Sequence, residues 1–417
     1  MNGKHIPFHT PSIGEEEIGE VVDTLRSGWL STGPRTARFE HEFREYVQTP
    51  HAMAVNSATA ALHLALVALK VKPGDEVITT PNTFCSTVHT ILHVGAIPVL
   101  ADIRPDGNID PASIESRITR RTRAIIPVHI AGLPCALREI WNLARPRGIA
   151  VIEDAAHAAG AWYDGAPIGA TPSTDACSDA VAFSFYATKN MTTGEGGMLT
   201  TPHPEIARAA RTLCLHGMSR DAWQRYADHG NWHYDVVAQG FKYNMSDIQA
   251  AIGIHQLRKL DQFIAKRAEY ADRYNCILGD LDAVELPRED SRSRHAWHLY
   301  ILRLKLERLK ITRDEFIREL HDAGIGTSVH FIPIPLHRYF ARSPVAAYAC
   351  PEALKLYRCI VSLPLYPAMT MEQVNYVGHR VRTLLERARR PGLLAPVFDP
   401  AAAGLRRRAV PCTEGIV

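Results

Sequence analysis

Ala52-Met53-Ala54-Val55-Asn56-Ser57-Ala58-Thr59-Ala60-Ala61-Leu62 is the stretch whose reading decides the fold. Four apolar residues end at a small polar cluster, and a helical pattern then runs over 59–70. A short apolar run bounded by turn residues and followed by a helix pattern reads as a buried strand feeding a helix. The same unit repeats outward. Residues 76–80, 98–101, 124–129 and 149–153 are strand-like, and 85–94, 114–118 and 137–144 between them are helical. This alternation predicts βαβ units around a mainly parallel sheet, whose strands are continuously apolar because helices cover both faces.

Before the first strand, helices are expected over 15–26 and 36–47, separated by Ser27-Gly28-Trp29. A long helix rich in Leu, Ile, Lys and Arg is expected over 249–274. Beyond it come strands at 298–304 and 326–331 and helices at 313–323 and 371–386. The expected organisation is a large α/β domain with an N-terminal arm over 1–250 and a smaller α+β domain over 251–388. The segment 389–417, with Arg406-Arg407-Arg408, is expected to be a disordered tail with solvated arginines.

The chain has 417 residues, 46% hydrophobic and 22% charged, so it is long enough for two globular domains. A net charge of +3 gives no electrostatic reason to expect nucleic acid or a membrane surface. No apolar run approaches the roughly 20 residues that cross a bilayer, and Met1-Asn2-Gly3-Lys4-His5-Ile6-Pro7 lacks a signal-peptide core. Eight scattered cysteines without a C-x-x-C pair read as reduced thiols of a cytoplasmic protein.

The chemistry concentrates after the strands. In Ala182-Phe183-Ser184-Phe185-Tyr186-Ala187-Thr188-Lys189-Asn190 a lysine follows an apolar run and precedes Thr193-Gly194-Glu195-Gly196-Gly197. Desolvation disfavours an ammonium, and an amine that loses its proton near neutrality can form a Schiff base with a carbonyl. A lysine snorkelling to solvent is the competing reading. Asn56-Ser57-Ala58-Thr59 at a helix start can hold a phosphate with free N–H groups and the helix dipole, or simply cap the helix. Asp154, at the end of a buried strand, can hold a protonated ring nitrogen or serve as a helix N-cap. Phe84, after another strand, can stack on a planar ring or lie in the core. His157 stands three residues beyond Asp154 and reads equally as a core histidine. The glycine turn lacks the G-x-G-x-x-G spacing of a dinucleotide site. His295, His298, His330 and His337 lack a matching carboxylate or cysteine set, so no metal is expected. No G-x-S-x-G elbow supports a serine hydrolase.

A phosphate cup, a stacking aromatic, a ring-nitrogen acid and a Schiff-base lysine, in that order, fit pyridoxal 5′-phosphate. The chain resembles the fold-type I aminotransferases acting on keto-sugar nucleotides, the DegT/DnrJ/EryC1/StrS family. The resemblance covers about residues 5–385. It rests on Ser27-Gly28-Trp29-Leu30-Ser31-Thr32-Gly33-Pro34, the cup, Pro73-Gly74-Asp75-Glu76-Val77-Ile78, Glu153-Asp154-Ala155-Ala156-His157 and Ser184 through Lys189. Gly194-Glu195-Gly196-Gly197, Tyr243-Asn244-Met245-Ser246-Asp247-Ile248-Gln249 and Val329-His330-Phe331 complete it.

The resemblance implies that Lys189 is the Schiff-base lysine and proton shuttle, that Asp154 pairs with the pyridine nitrogen and that Phe84 stacks on the ring. It places His157 beside the ring and its 3-hydroxyl, and Ala58, Thr59 and Ser184 on the phosphate. Asn244 would reach the phosphate of a neighbouring subunit, which implies a homodimer with shared sites. Trp29, Thr32 and His330 would lie near the sugar nucleotide, and L-glutamate would donate the amino group. The runs His295-Ala296-Trp297-His298-Leu299-Tyr300 and Gly324-Ile325-Gly326-Thr327-Ser328-Val329 are most similar to branches aminating the 4-keto position of UDP-linked sugars. GDP- and dTDP-sugar enzymes share much of the pattern. A sugar 3-dehydratase on this scaffold carries histidine where Lys189 stands, and a non-catalytic cofactor-binding regulator needs no complete catalytic set.

Overall fold

The computed structural model describes residues 5–173, 176–219, 234–288 and 290–390. The expected tail therefore lies outside the described residues beyond Arg390. Helices α1 (Glu15–Ser27) and α2 (Pro34–Val47) lead the chain. Strand β1 (His51–Val55), α3 (Ala58–Ala68), β2 (Glu76–Thr79), α4 (Cys85–His93) and β3 (Ile97–Leu100) follow. Next are α5 (Pro111–Arg117), β4 (Thr122–Ile126), α6 (Leu137–Ala144) and β5 (Ala150–Asp154). Short β6 (Trp162–Tyr163) and β7 (Ala166–Pro167) precede β8 (Ala180–Ser184), β9 (Gly197–Thr201) and α7 (Pro204–Leu213).

The large sheet has the order β1-β9-β8-β5-β4-β2-β3. Neighbours from β8 to β3 are parallel, and β9 runs antiparallel to both β8 and β1. Six strands therefore point one way, and Val55, Thr79, Ile126, Asp154 and Ser184 end on one edge, where open α/β sheets bind ligands. All five residues of β8 are buried, as expected of a strand covered on both faces. Four aromatic rings pin α2 beneath it: Phe43 meets Phe183 at 5.0 Å and Phe185 at 5.4 Å, and Phe39 meets Phe185 at 5.4 Å, all edge to face.

Helix α8 (Asp247–Leu278) is longer than its sequence pattern at both ends. Ser246 starts it with a capping box closed by Gln249. It packs against α1 and α2 and, further along, against the last helix. Strands β10 (Val284–Glu285), β12 (Tyr300–Leu304) and β13 (Ile360–Leu363) make a second, antiparallel sheet, while β11 (Ser293–Arg294) pairs with β6. Helices α9 (Arg313–Asp322), α10 (Pro351–Cys359) and α11 (Met371–Ala388) complete this part. A separate apolar cluster around Tyr274, Tyr300, Phe316 and Val377 fills it.

The strand expected at 326–331 does not form. Only Ser328 makes an isolated bridge, to Ser362. The other polar groups of the segment are taken by different partners: the Gly326 N–H donates to Ile6, the Phe331 N–H to the Asn82 side chain, and the His330 ring bonds the Ser362 hydroxyl. No ladder can run through donors already committed elsewhere. Among the described residues, no helix is long and apolar enough to cross a membrane.

Asp247, at the start of α8, ties that helix to the start of α2. Fully buried, its carboxylate accepts the N–H groups of Gly33, Arg35 and Thr36 and the Thr36 hydroxyl, satisfying the open start of α2. Asp247→Ala is expected to lower unfolding free energy by about 3 kcal/mol, because three backbone donors lose a charged acceptor. Denaturant unfolding of the variant measures it.

Candidate active site

The carboxyl edge of the large sheet opens into a cavity of about 470 Å³. Its walls include Ala58, Thr59, Phe84, Asp154, His157, Ser184, Lys189 and His330, eight of the site residues expected from sequence. At the start of α3 the Ser57 hydroxyl accepts the Ala60 N–H, so Ser57 is an ordinary cap. Ala58 and Thr59, in that first turn, line the cavity, and the N–H groups of a helix's first turn are left without helix acceptors. The cup is tight because Gly197 lies directly beneath it. A Cβ there would stand 2.5 Å from the Ser57 carbonyl carbon and 2.6 Å from the Ala58 nitrogen.

Lys189 reaches the cavity from the turn after β8, where its N–H donates to Tyr186. Enclosure by protein strips water from its amine and lowers its pKa to about 8, against the opposing pull of Asp154. Asp154 is buried. Its Oδ2 accepts from the Thr87 hydroxyl and its Oδ1 from the Ala156 N–H. Burial raises its pKa, while the Thr87 and Ala156 hydrogen bonds and the charge of Lys189 oppose the rise. The His157 ring accepts the Ala131 N–H at Nδ1, which leaves Nε2 to carry the proton and donate. Phe84 is 60% exposed at the cavity wall, so it is not a core phenylalanine. An exposed ring beside a buried acid, a desolvated amine and a bare helix start fits a planar, phosphorylated, aldehyde-bearing cofactor.

Trp29, Thr32 and Asn244 do not line this cavity and instead form a cluster of their own. The Asn244 amide donates to the Thr32 hydroxyl, Thr32 donates to the Met245 carbonyl, and the Trp29 indole donates to the Thr32 carbonyl. The Asn244 Oδ1 is buried without a partner among the described residues.

Several cavity residues are not evident from the sequence. Thr87 orients Asp154 from 67 positions away. His298, 141 positions from His157, packs its ring 4.3 Å from it, and Phe8, His9 and Tyr186 join the wall. Beneath Asp154, His129 accepts the Cys135 N–H at Nδ1, so its Nε2 donates to Glu153 at 2.8 Å in a buried pair. Only the strand-end positions carried a signal in the sequence. The others reach the site through tertiary folding.

A sheet of this order with a desolvated lysine opposite a buried aspartate defines a pyridoxal-phosphate enzyme of fold-type I. Residues 11–382 match the DegT/DnrJ/EryC1/StrS aminotransferase family. Spore coat polysaccharide biosynthesis protein SpsC of Bacillus subtilis is 48% identical over 386 residues, 92% of this chain and 98% of that protein. Spr1654 from Streptococcus pneumoniae, in its PLP form, superposes with a TM-score of 0.84 at 34% identity over 92% of this chain and 99% of that one. PseC of Helicobacter pylori, an aminotransferase involved in pseudoaminic acid biosynthesis, gives 0.85 at 28% identity, with 92% and 100% covered. The chain belongs to the DegT/DnrJ/EryC1/StrS aminotransferase family. It is a pyridoxal-phosphate-dependent sugar aminotransferase.

Only a free amine attacks an electrophile, so Lys189 of the cofactor-free protein should react faster as pH rises through about 8. Ordinary lysines require a pH above 10. Asp154→Asn removes a negative neighbour and is expected to move that midpoint down. The rate of trinitrobenzenesulfonate labelling at Lys189, followed by peptide mapping, reads both.

Proposed function

We propose that this enzyme moves the amino group of L-glutamate to the 4-keto position of a nucleotide-linked sugar, with UDP-sugars preferred. The observation that carries the reading is the enclosure of Lys189 and Asp154 in one cavity. The resemblance of the 295–300 and 324–329 runs to enzymes aminating 4-keto UDP-sugars supports the choice of sugar. A UDP-4-keto-pentose of the kind that yields 4-amino-4-deoxy-L-arabinose is the first substrate to test. The names of SpsC and PseC, which refer to a coat polysaccharide and to pseudoaminic acid, support a product destined for a surface glycan.

Pyridoxal phosphate supplies an aldehyde that takes up an amino group and a ring that draws electrons from the adjacent carbon. Lys189 would hold its carbonyl carbon, Asp154 its ring nitrogen, and Ala58, Thr59 and Ser184 its phosphate. Phe84 would stack on its ring, with His157 beside it. Once its Nζ is free, Lys189 would serve as the base that takes the proton from the donor's α-carbon. Burial, which lowers its pKa to about 8 in the protein alone, favours the free amine such a transfer needs. The same Nζ then returns a proton to C4 of the sugar. Asp154, held by Thr87 and Ala156, keeps the ring nitrogen protonated. Asn244 and its neighbours Thr32 and Trp29 would serve the site of a second copy, making the working unit a homodimer. The unpartnered Asn244 Oδ1 is consistent with that role.

Lys189→Ala is expected to lose turnover by roughly four orders of magnitude or more, given the weight of a positioned base together with a covalent anchor. It should retain its fold, as judged by thermal melting. For the substrate, the enzyme is loaded with L-glutamate, and UDP-, GDP- and dTDP-linked 4-keto sugars are then screened for return of the cofactor's resting absorbance. A UDP-sugar acting alone or fastest supports the preference, and a GDP- or dTDP-sugar acting fastest overturns it. No spectral change on adding glutamate would overturn the donor.

A further inference from the structure

Arg267 lies near the middle of α8 and is 1% exposed. Its Nη1 donates to the carbonyls of Trp297, His298 and Leu365. Its Nε and Nη2 have no partner among the described residues. Among these residues no carboxylate compensates the charge, and burial pushes its pKa down to about 9. Buried arginines ordinarily pair with an acid, because a buried cation satisfied only by neutral carbonyls is costly.

The mechanical task at this place does not call for a charge. Tyr270 and Tyr274, three and seven positions further along the same helix face, pin the same segment with neutral hydroxyls. Tyr270 donates to the Met369 carbonyl and Tyr274 to that of Pro364. What sets Arg267 apart is its location. The residues in front of it, His298 and Leu365, line the catalytic cavity, and so does His9, which its charge also reaches. Among the described residues, Lys189 is the one lysine or arginine that lines that cavity. The titratable groups that act most on His298 are His157, Lys189, Arg267 and His330, and on His9 Arg267 and Lys189, while the carboxylates of the cavity wall are Asp154 and Glu195.

We propose that Arg267 is a positioning residue for the catalytic cavity, its uncompensated charge standing behind the wall of His9, His298 and Leu365 to draw the anionic group of the substrate inward. The hydrogen bonds of its Nη1 hold that wall in place, with His298 against His157. The inference rests on the reading that the substrates are anions, a carboxylate donor and a nucleotide-linked sugar. It also assigns His9 and His298 the part of neutral wall residues, since burial first, and the guanidinium in addition, oppose their protonation.

The test uses holoenzyme carrying Arg267→Gln, which keeps N–H donors without charge, and Arg267→Lys, which keeps the charge. Arg267→Met serves the same comparison where the Gln amide disrupts folding. Glutarate and UDP are the anion probes, with binding read from the cofactor absorbance. Gln is expected to weaken at least one probe about tenfold while Lys stays within about threefold of the parent. A shift for glutarate alone assigns the anion as a carboxylate, and a shift for UDP alone as the diphosphate. In steady state the loss should fall on KM more than on kcat. In cofactor-free protein the His9 resonance should titrate about one pH unit higher in Arg267→Gln, since removing a positive neighbour eases protonation. Unchanged binding of both probes in Arg267→Gln, no saturable binding of either to the parent enzyme, or an unmoved His9 titration would each overturn the proposal. Failure of L-glutamate to donate, with these shifts intact, would overturn only the donor assignment.

Discussion

Two opposite charges buried at one cavity constrain the rest of this structure. Asp154 ends a central strand and Lys189 follows the next one, so β5 and β8 must be parallel neighbours with their carboxyl ends level. Burial works against each charge and each supports the other, which makes their balance sensitive to every group around them. Thr87 and the Ala156 N–H favour the ionised form of Asp154. Four histidines share the cavity, and burial keeps His9, His157, His298 and His330 below their usual pKa, so they line it without adding charge near neutrality.

The parallel strands of the large sheet were legible in the sequence because a parallel sheet buried on both faces imposes a local rule, short apolar runs separated by helices, whereas the antiparallel β9 was not expected. The strand ends carrying Asp154, Ser184 and the cup were legible for the same reason. Phe84 was ambiguous in the sequence, since a ring in the core and a ring awaiting a ligand are the same residue. Exposure at the cavity wall separates them. Thr87, His298 and Arg267 were not legible as site residues, because what matters about them is distant: a carboxylate 67 positions away, an imidazole 141 positions away, a carbonyl 98 positions away.

The segment 326–331 shows the opposite failure. Its β-branched and aromatic residues suit a strand, but the pattern carries no information about which backbone groups are already claimed. Ile6, Asn82 and Ser362 claim them, tying the segment to the chain's beginning, to the large sheet's edge and to the small sheet. A similar convergence holds the segment before β12. The Asn190 amide, next to the lysine, donates to the Ala296 carbonyl, and Ala296 and Leu299 donate to Gly132 and Ala131. Both walls of the cavity are thus fastened to both sheets.

Strand β9 returns antiparallel beside β8, so Lys189 stands within a closed there-and-back connection rather than at the start of a crossover. Both ends of that connection are tied: Phe185 exchanges hydrogen bonds with Thr193 and Gly196, and Thr192 bonds Phe185 as well. With the backbone held this way, the lysine travels by rotation about its own four methylenes. Such rotations require no loop or domain rearrangement, a class of motion that takes microseconds to milliseconds. The arrangement therefore leaves the reach of the Lys189 amine to its side chain alone, on a backbone fixed at both ends.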